Sequence, residues 1–173
     1  MNKLLFFLML SLSACSTSPQ KNKQIVYARI TAYCRQESDH IKYKNLAANG
    51  SELKVGVHLA SDWSVFPVDT LIKINDRVYQ ISDYGSALVD KPIPVIDLYV
   101  ENKKQMRNWG VKYQEVEIIQ MGDYEKSAEI LKSRLKYRHC NKMFVDIIEK
   151  SNIYKNVPVK SKKIRKTCIR TRI

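Results

Sequence analysis

Three aspartates, Asp62, Asp83 and Asp97, fall within 36 residues, each in or beside a short apolar segment: VHLASDWSVFP, VYQISDYGSAL and PIPVIDLYV. A carboxylate is normally excluded from such surroundings unless it is paired, capped or used in chemistry. The second segment sets its Asp two residues before a Gly, and the third sets one directly after the strand-like Pro94-Val95-Ile96. The pattern marks a β domain that carries a site rather than a generic basic protein.

The rest of the middle of the chain supports that reading. Residues 24–32 (QIVYARITA) are dense in Ile, Val and Tyr and predict a first strand, followed by a polar loop over residues 35–49 of the kind that frames a groove. Asn49-Gly50 is a turn signal, and residues 55–60 predict a short strand that delivers Asp62 just beyond its end. Leu71 to Ile74, the turn Asn75-Asp76 and Arg77 to Ile81 read as a hairpin with Asp83 immediately after it. Gly85 gives the chain freedom to turn there. Residues 95–100 predict a buried strand, residues 102–108 a short helical turn ended by Gly110, and residues 113–119 a closing strand with Val116 and Ile118 on one face. Six or so short strands with one small helix before the last predict a small β-barrel with a filled interior, so any site lies on its surface.

After Gly122 the apolar period changes. Asp123 is placed to cap a helix with Tyr124, Ala128, Leu131 and Leu135 on one stripe, and a second piece over residues 141–149 groups Phe144, Ile147 and Ile148. These stripes are expected to pack against the barrel or each other. The expected organisation is a leader over residues 1–14, a linker over 15–24, the barrel over 25–121, a helical extension over 122–150 and a basic tail over 151–173.

The two ends address where the chain works. Lys3, the apolar run from Leu4 to Leu12, and Leu12-Ser13-Ala14-Cys15 have the layout of a signal peptide, and the run is too short for a stable membrane span. Because the processing site ends in Cys, it resembles a bacterial lipoprotein signal in which Cys15 becomes the lipidated, palmitate-bearing N-terminus; an ordinary secretory peptide is the bland reading. Ser16 after that Cys implies the outer membrane, with the domain facing the periplasm, if the cell has one.

The chain carries 30 Lys and Arg against 17 Asp and Glu, a formal charge of +13. Residues 151–173 hold eight of those cations, Lys155 to Arg172, and no acidic residue. In the cytoplasm such a block points to nucleic acid. An exported chain instead meets anionic lipids, lipopolysaccharide and peptidoglycan carboxylates, so these are the expected partners and nucleic acid is not. A merely solubilising tail is the rival reading. Beyond Cys15 there are Cys34, Cys140 and Cys168. Export permits one disulfide, and Cys140 with Cys168 is the preferred pair because it would tie the tail to the domain. His40, His58 and His139 have no metal-ligand spacing with the cysteines, so neither a metal nor another cofactor is expected.

Taken in order, Ile30-Thr31-Ala32-Tyr33, Ala48-Asn49-Gly50, Ala60-Ser61-Asp62 with Phe66-Pro67 behind it, Ser82-Asp83-Tyr84-Gly85-Ser86-Ala87, Ile96-Asp97-Leu98-Tyr99 and Trp109-Gly110 resemble the 3D domain. That domain, named for three aspartates, is a double-psi β-barrel found in the membrane-bound lytic transglycosylase A family and in other cell-wall proteins. The resemblance covers roughly residues 28–120. It implies Asp97 as catalytic acid, Asp83 and Asp62 lining the same groove, and Thr31 and Tyr33 as the opening-strand motif. Tyr84 stands where the family usually has Thr, Trp63 where Pro is common, Asp69 where Gly is usual and Ala47 where Thr is frequent. These changes alter the groove and spare the three carboxylates. The larger transglycosylase also has a second domain across its cleft.

The implied chemistry is cleavage of the bond between N-acetylmuramic acid and N-acetylglucosamine, with the muramic acid 6-hydroxyl as nucleophile and a 1,6-anhydro product. That reaction needs one carboxyl group able to give a proton and then accept one. A like charge or burial beside Asp97 would hold its proton near neutral pH. Trp63, Tyr84, Tyr99 and Trp109 offer apolar faces to sugar rings and equally suit a barrel core. Tyr84, directly after Asp83, is the first choice for substrate contact, with Trp63 beside Asp62. Two functions stay open: a lytic transglycosylase, and a non-catalytic peptidoglycan-binding or envelope-anchoring lipoprotein using the same groove.

Overall fold

Alternation along the first strand decides which way the barrel faces. In β1 (Gln24–Tyr33), Ala28 and Ile30 are fully buried while Ile25 and Tyr27, which precede them on the opposite face, stand half exposed, the period-two signature of a sheet with one face on a core. The computed structural model describes residues 23–37 and 45–151. The leader with Cys15, most of the linker, and the basic tail with Cys168 lie outside the described residues.

Five further strands follow: β2 (His58–Ser61), β3 (Leu71–Ile74), β4 (Arg77–Asp83), β5 (Val95–Tyr99) and β6 (Lys112–Gln120). They close into a barrel in the order β1-β5-β2-β4-β3-β6, with β6 returning to β1. Two pairs, β1 with β5 and β2 with β4, are parallel and therefore joined by crossover connections; the others are antiparallel. This is the expected six-stranded barrel, with a strand order consistent with a double-psi fold. A short helix, α1 (Lys103–Trp109), precedes the last strand, capped by the Asn102 side chain on Gln105 N–H and ended by Gly110 at φ 66°. Ile30, Leu59, Ile72, Ile81, Ile96 and Val116 fill the interior.

Two strands differ from the sequence expectation. Strand β2 begins at His58 rather than Val55, because residues 55–57 form a turn in which Gly56 takes φ 73° against the Arg77 guanidinium. Strand β4 continues past Ile81 to take in Asp83.

The helical extension comprises α2 (Tyr124–Lys132) and α3 (Arg138–Ser151). Asp123 caps α2 through the Lys126 N–H at 3.0 Å, as its position in sequence predicts. The helix stops at Lys132, short of Leu135, and α3 starts before residue 141, so its buried stripe is Cys140, Met143 and Ile147. The extension is sewn to the barrel by backbone. Buried Ser127 accepts from Val68 N–H at 2.9 Å and donates to Asp123 O at 2.8 Å, Asp123 N–H donates to Val68 O at 2.9 Å, and Gly122 N–H donates to Thr70 Oγ1 at 3.0 Å. A β-carbon on Gly122 would meet Val68 O at 2.1 Å and Thr70 N at 2.4 Å, both backbone atoms that cannot swing away. Gly122→Ala is therefore expected to cost about 3 kcal/mol of stability, the upper range for overpacking, read as a fall in urea midpoint. A midpoint equal to wild type would refute this account of the junction.

Candidate functional site

The outer face of β1, β5 and β2 is unusual in being partly apolar as well. Tyr33, Ala47, Leu53, Ala60, Leu88, Val95 and Tyr99 form a second buried cluster there, separate from the interior. It is roofed by the loop at residues 45–57 and by the short 3-10 turn Ser86–Leu88. The loop is a small hairpin: Leu46 bridges Glu52, Gly50 turns at φ 87°, and Asn49 Oδ1 accepts from Ser51 N–H and Oγ–H at 2.9 and 2.7 Å. The turn expected at Asn49-Gly50 is present.

Register then sets the carboxylates. Asp97 lies opposite Thr31 on β1 and opposite Ala60 on β2. On the far side of β2, Ala60 pairs with Asp83, because the register shifts by one residue between Leu59 and Ala60. Without that bulge Ser82 would face Ala60 and the Asp83 side chain would point to the opposite face. Two aspartates thus flank one methyl group, on strands either side of β2. The bulge has a local cost: Ser82 Oγ is buried without a hydrogen-bond partner.

Asp97 is partly buried, and its Oδ1 accepts from the Thr31 hydroxyl at 2.7 Å. Its pKa is raised from 3.8 to about 6. Burial is the largest cause; the Thr31 hydrogen bond opposes it, Glu37 raises it, Arg29 lowers it and Asp83 raises it. The apolar outer cluster is what desolvates this carboxyl group.

Asp83 is held more tightly, at 5 % exposure. Its Oδ1 accepts from the backbone N–H of Ala48 at 3.0 Å and of Tyr84 at 2.9 Å, and its Oδ2 accepts from the Tyr33 hydroxyl at 3.3 Å. The Tyr33 phenol is pushed well above its ordinary value by burial first, and then by the charges of Asp83 and Asp97. Tyr33 packs on Tyr99 with ring centroids 5.3 Å apart, and Tyr99 donates to Asn45 Oδ1 at 2.8 Å, which pins the loop. Thr31 with Asp97 and Tyr33 with Asp83 are thus two hydrogen-bonded pairs, linked to each other through charge: both carboxylates act on Tyr33, and Asp83 acts on Asp97.

Asp62 sits apart from it. Just past the end of β2, its Oδ1 accepts from Ser64 N–H at 2.8 Å and its Oδ2 from Asp90 N–H at 3.2 Å, an Asx turn that ties down the segment after the 3-10 helix. Its charge acts on Tyr124 and Lys142. Trp63 has no exposed surface, so neither ring face is open to a sugar; its indole N–H donates to Asp83 O at 2.9 Å. Tyr84 lies edge-on to Trp63 at 5.0 Å, and its hydroxyl accepts from Arg134 at 3.0 Å and from the Cys140 thiol at 3.3 Å. Cys140 is fully buried and Cys168 is outside the described residues. Both aromatic residues thus back the site from beneath the helical extension.

Several contributors carry no sequence signal of their own. Glu37 is one polar residue of a polar loop, Ala60 is a small residue in an apolar strand, and Arg134 is one cation among thirty. What points to Glu37 is only its place, four positions beyond Tyr33, in a polar loop of the kind that frames a groove. An open depression of about 450 Å³ lies elsewhere, lined by Asp69, Gly122 and Glu125, and none of the three aspartates borders it.

No family model matches the chain, and no curated protein matches it. The architecture, a six-stranded barrel with a helical extension, is compatible with a double-psi domain that is catalytic in some proteins.

The raised acid fixes a stability signature. Folded Asp97 binds its proton more tightly than the unfolded chain, so its stabilising contribution is complete below pH 4 and is lost as pH rises through about 6. The full shift, from 3.8 to about 6, corresponds to at most ~3 kcal/mol. Asp97→Asn, neutral throughout and still able to accept from Thr31, is expected to melt above wild type at pH 8 and level with it at pH 4. Equal differences at both pH values would show that Asp97 is not a raised acid.

Proposed function

We propose that this protein is a peptidoglycan lytic transglycosylase with Asp97 as its general acid and base. The observation that carries the reading is the Asp97 carboxyl group: desolvated, raised to about 6, and hydrogen-bonded through Oδ1 alone among the described residues. A carboxylic acid titrating near the working pH is what proton transfer to a glycosidic oxygen asks for.

In this reading the Thr31 hydroxyl fixes Oδ1 and Oδ2 presents the proton. Asp97 gives it to the oxygen linking N-acetylmuramic acid to N-acetylglucosamine, and the bond from that oxygen to the muramic C1 breaks. The muramic 6-hydroxyl then attacks C1, and its proton passes to the Asp97 carboxylate. The products are a 1,6-anhydro-muramoyl end and a free N-acetylglucosamine end, with Asp97 protonated again. Asp83, held by three donors, supplies a fixed negative charge across Ala60 that favours the proton on Asp97 and stabilises positive charge at C1. Asp62 shapes the loop beside it. The setting is a lipid-anchored envelope protein, acylated at Cys15 and facing the periplasm, whose basic tail contacts anionic envelope polymers.

One observation favours the second reading, a non-catalytic peptidoglycan-binding lipoprotein: Asp62 and Asp83 are both engaged by backbone donors, the arrangement of structural carboxylates. Incubation with purified sacculi and mass spectrometry of the soluble products separates the two. Anhydro-muropeptides are expected, with Asp97→Asn lowering their release about 100-fold or more, the low end for loss of a general acid. Release should also decline as pH rises above about 6, where Asp97 ionises. Sedimentation with sacculi without any anhydro product would establish the binding role instead.

A further inference from the structure

The Arg134 guanidinium, in the segment between α2 and α3, donates from Nη2 to Ala48 O at 2.9 Å and from Nη1 to the Tyr84 hydroxyl at 3.0 Å. Ala48 and Tyr84 are also the residues whose backbone N–H groups hold Asp83 Oδ1. They come from different parts of the chain, Ala48 from the roofing loop and Tyr84 from just past the end of β4. One side chain of the extension therefore grips both arms of the cradle that aims Asp83.

Other contacts make the grip stiff. Tyr84 is braced by the edge of Trp63 and by the Cys140 thiol, while Trp63 also holds the Asp83 carbonyl. Asn49 N–H donates to Ser82 O at 3.1 Å, so loop and bulge move together. A planar guanidinium can reach two acceptors at once in fixed directions, whereas an ammonium is a single point with less directional hold.

We propose that Arg134 is the positioning residue for Asp83, and that the helical extension is for this reason a working wall of the site. The consequence for turnover rests on the transglycosylase reading; the clamp itself does not. Cutting it frees the loop and Tyr84 to shift, and Asp83 loses its fixed place opposite Ala60.

The test is amide hydrogen exchange on the full-length ¹⁵N-labelled protein, read at Ala48 and Tyr84 with Ile30, Ile96 and Val116 as barrel controls. Arg134→Met is expected to speed exchange at Ala48 and Tyr84 at least tenfold and leave the controls within twofold. Arg134→Lys restores part of the protection. Asp83→Asn speeds the same two amides, and adding Arg134→Met to it has little further effect, since both act on one unit. Exchange at Ala48 and Tyr84 unchanged in Arg134→Met, or raised equally across the barrel, overturns the proposal. If Arg134→Met fails to fold, Arg134→Lys decides: loss of protection confined to the two amides supports the clamp, and wild-type exchange refutes it. With saturating sacculi, Arg134→Met is expected to lower turnover about tenfold. A wild type that releases no anhydro product defeats the transglycosylase reading, while the exchange data still decide the clamp.

Discussion

Everything distinctive about this barrel depends on one shift of register between β2 and β4. Strands alternate faces, so a single extra residue decides whether a side chain enters the core or leaves it. The extra residue in β4 puts Asp83 across from Ala60 on the outer face, level with Asp97. The absence of bulk at Ala60 then leaves the two carboxylates with nothing larger than a methyl group between them. The outer cluster of Tyr33, Leu53, Val95 and Tyr99 removes water from the same place. Burial and a like charge act together on Asp97, and both follow from the register.

Much of this was legible in the sequence. Val, Ile and Tyr in short alternating runs gave four of the six strands close to their bounds, and Asp123 and Gly110 marked helix ends by their chemistry. Asp97 in a strand and Asn49-Gly50 in a turn were equally plain. The bulge was not, because nothing in Ile81-Ser82-Asp83 distinguishes a regular strand from one with an extra residue; only pairing does. Strand β4 was accordingly expected to end before Asp83. Trp63 and Tyr84 looked like sugar platforms because aromatic residues near aspartates suit that role. An extension packed over them gives the same residues a structural one, and the sequence shows the apolar stripes of that extension without showing what they cover.

The three aspartates consequently separate by surroundings rather than by motif. Asp62 lies in a turn, Asp83 in a cradle of two amides and a phenol, and Asp97 on an apolar face beside one hydroxyl. Hydrogen bonds to carboxylate oxygens favour the ionised form, and desolvation opposes it. The raised proton affinity of Asp97 follows from its neighbours and not from its residue type.

The strand order has a consequence for how such a site comes into being. Strand β1 pairs with β5 and β6 and with nothing nearer, so Thr31 finds Asp97 66 residues away. A loop of that length must close before β1 gains any partner, which places this among topologies that fold slowly. The first strand stays an unpaired edge until almost the whole barrel is available. No fragment of the chain that stops short of β5 holds the Thr31–Asp97 contact, and the Arg134 clamp arrives later still. The site thus belongs to the closed barrel as a whole, and no local stretch of chain carries it.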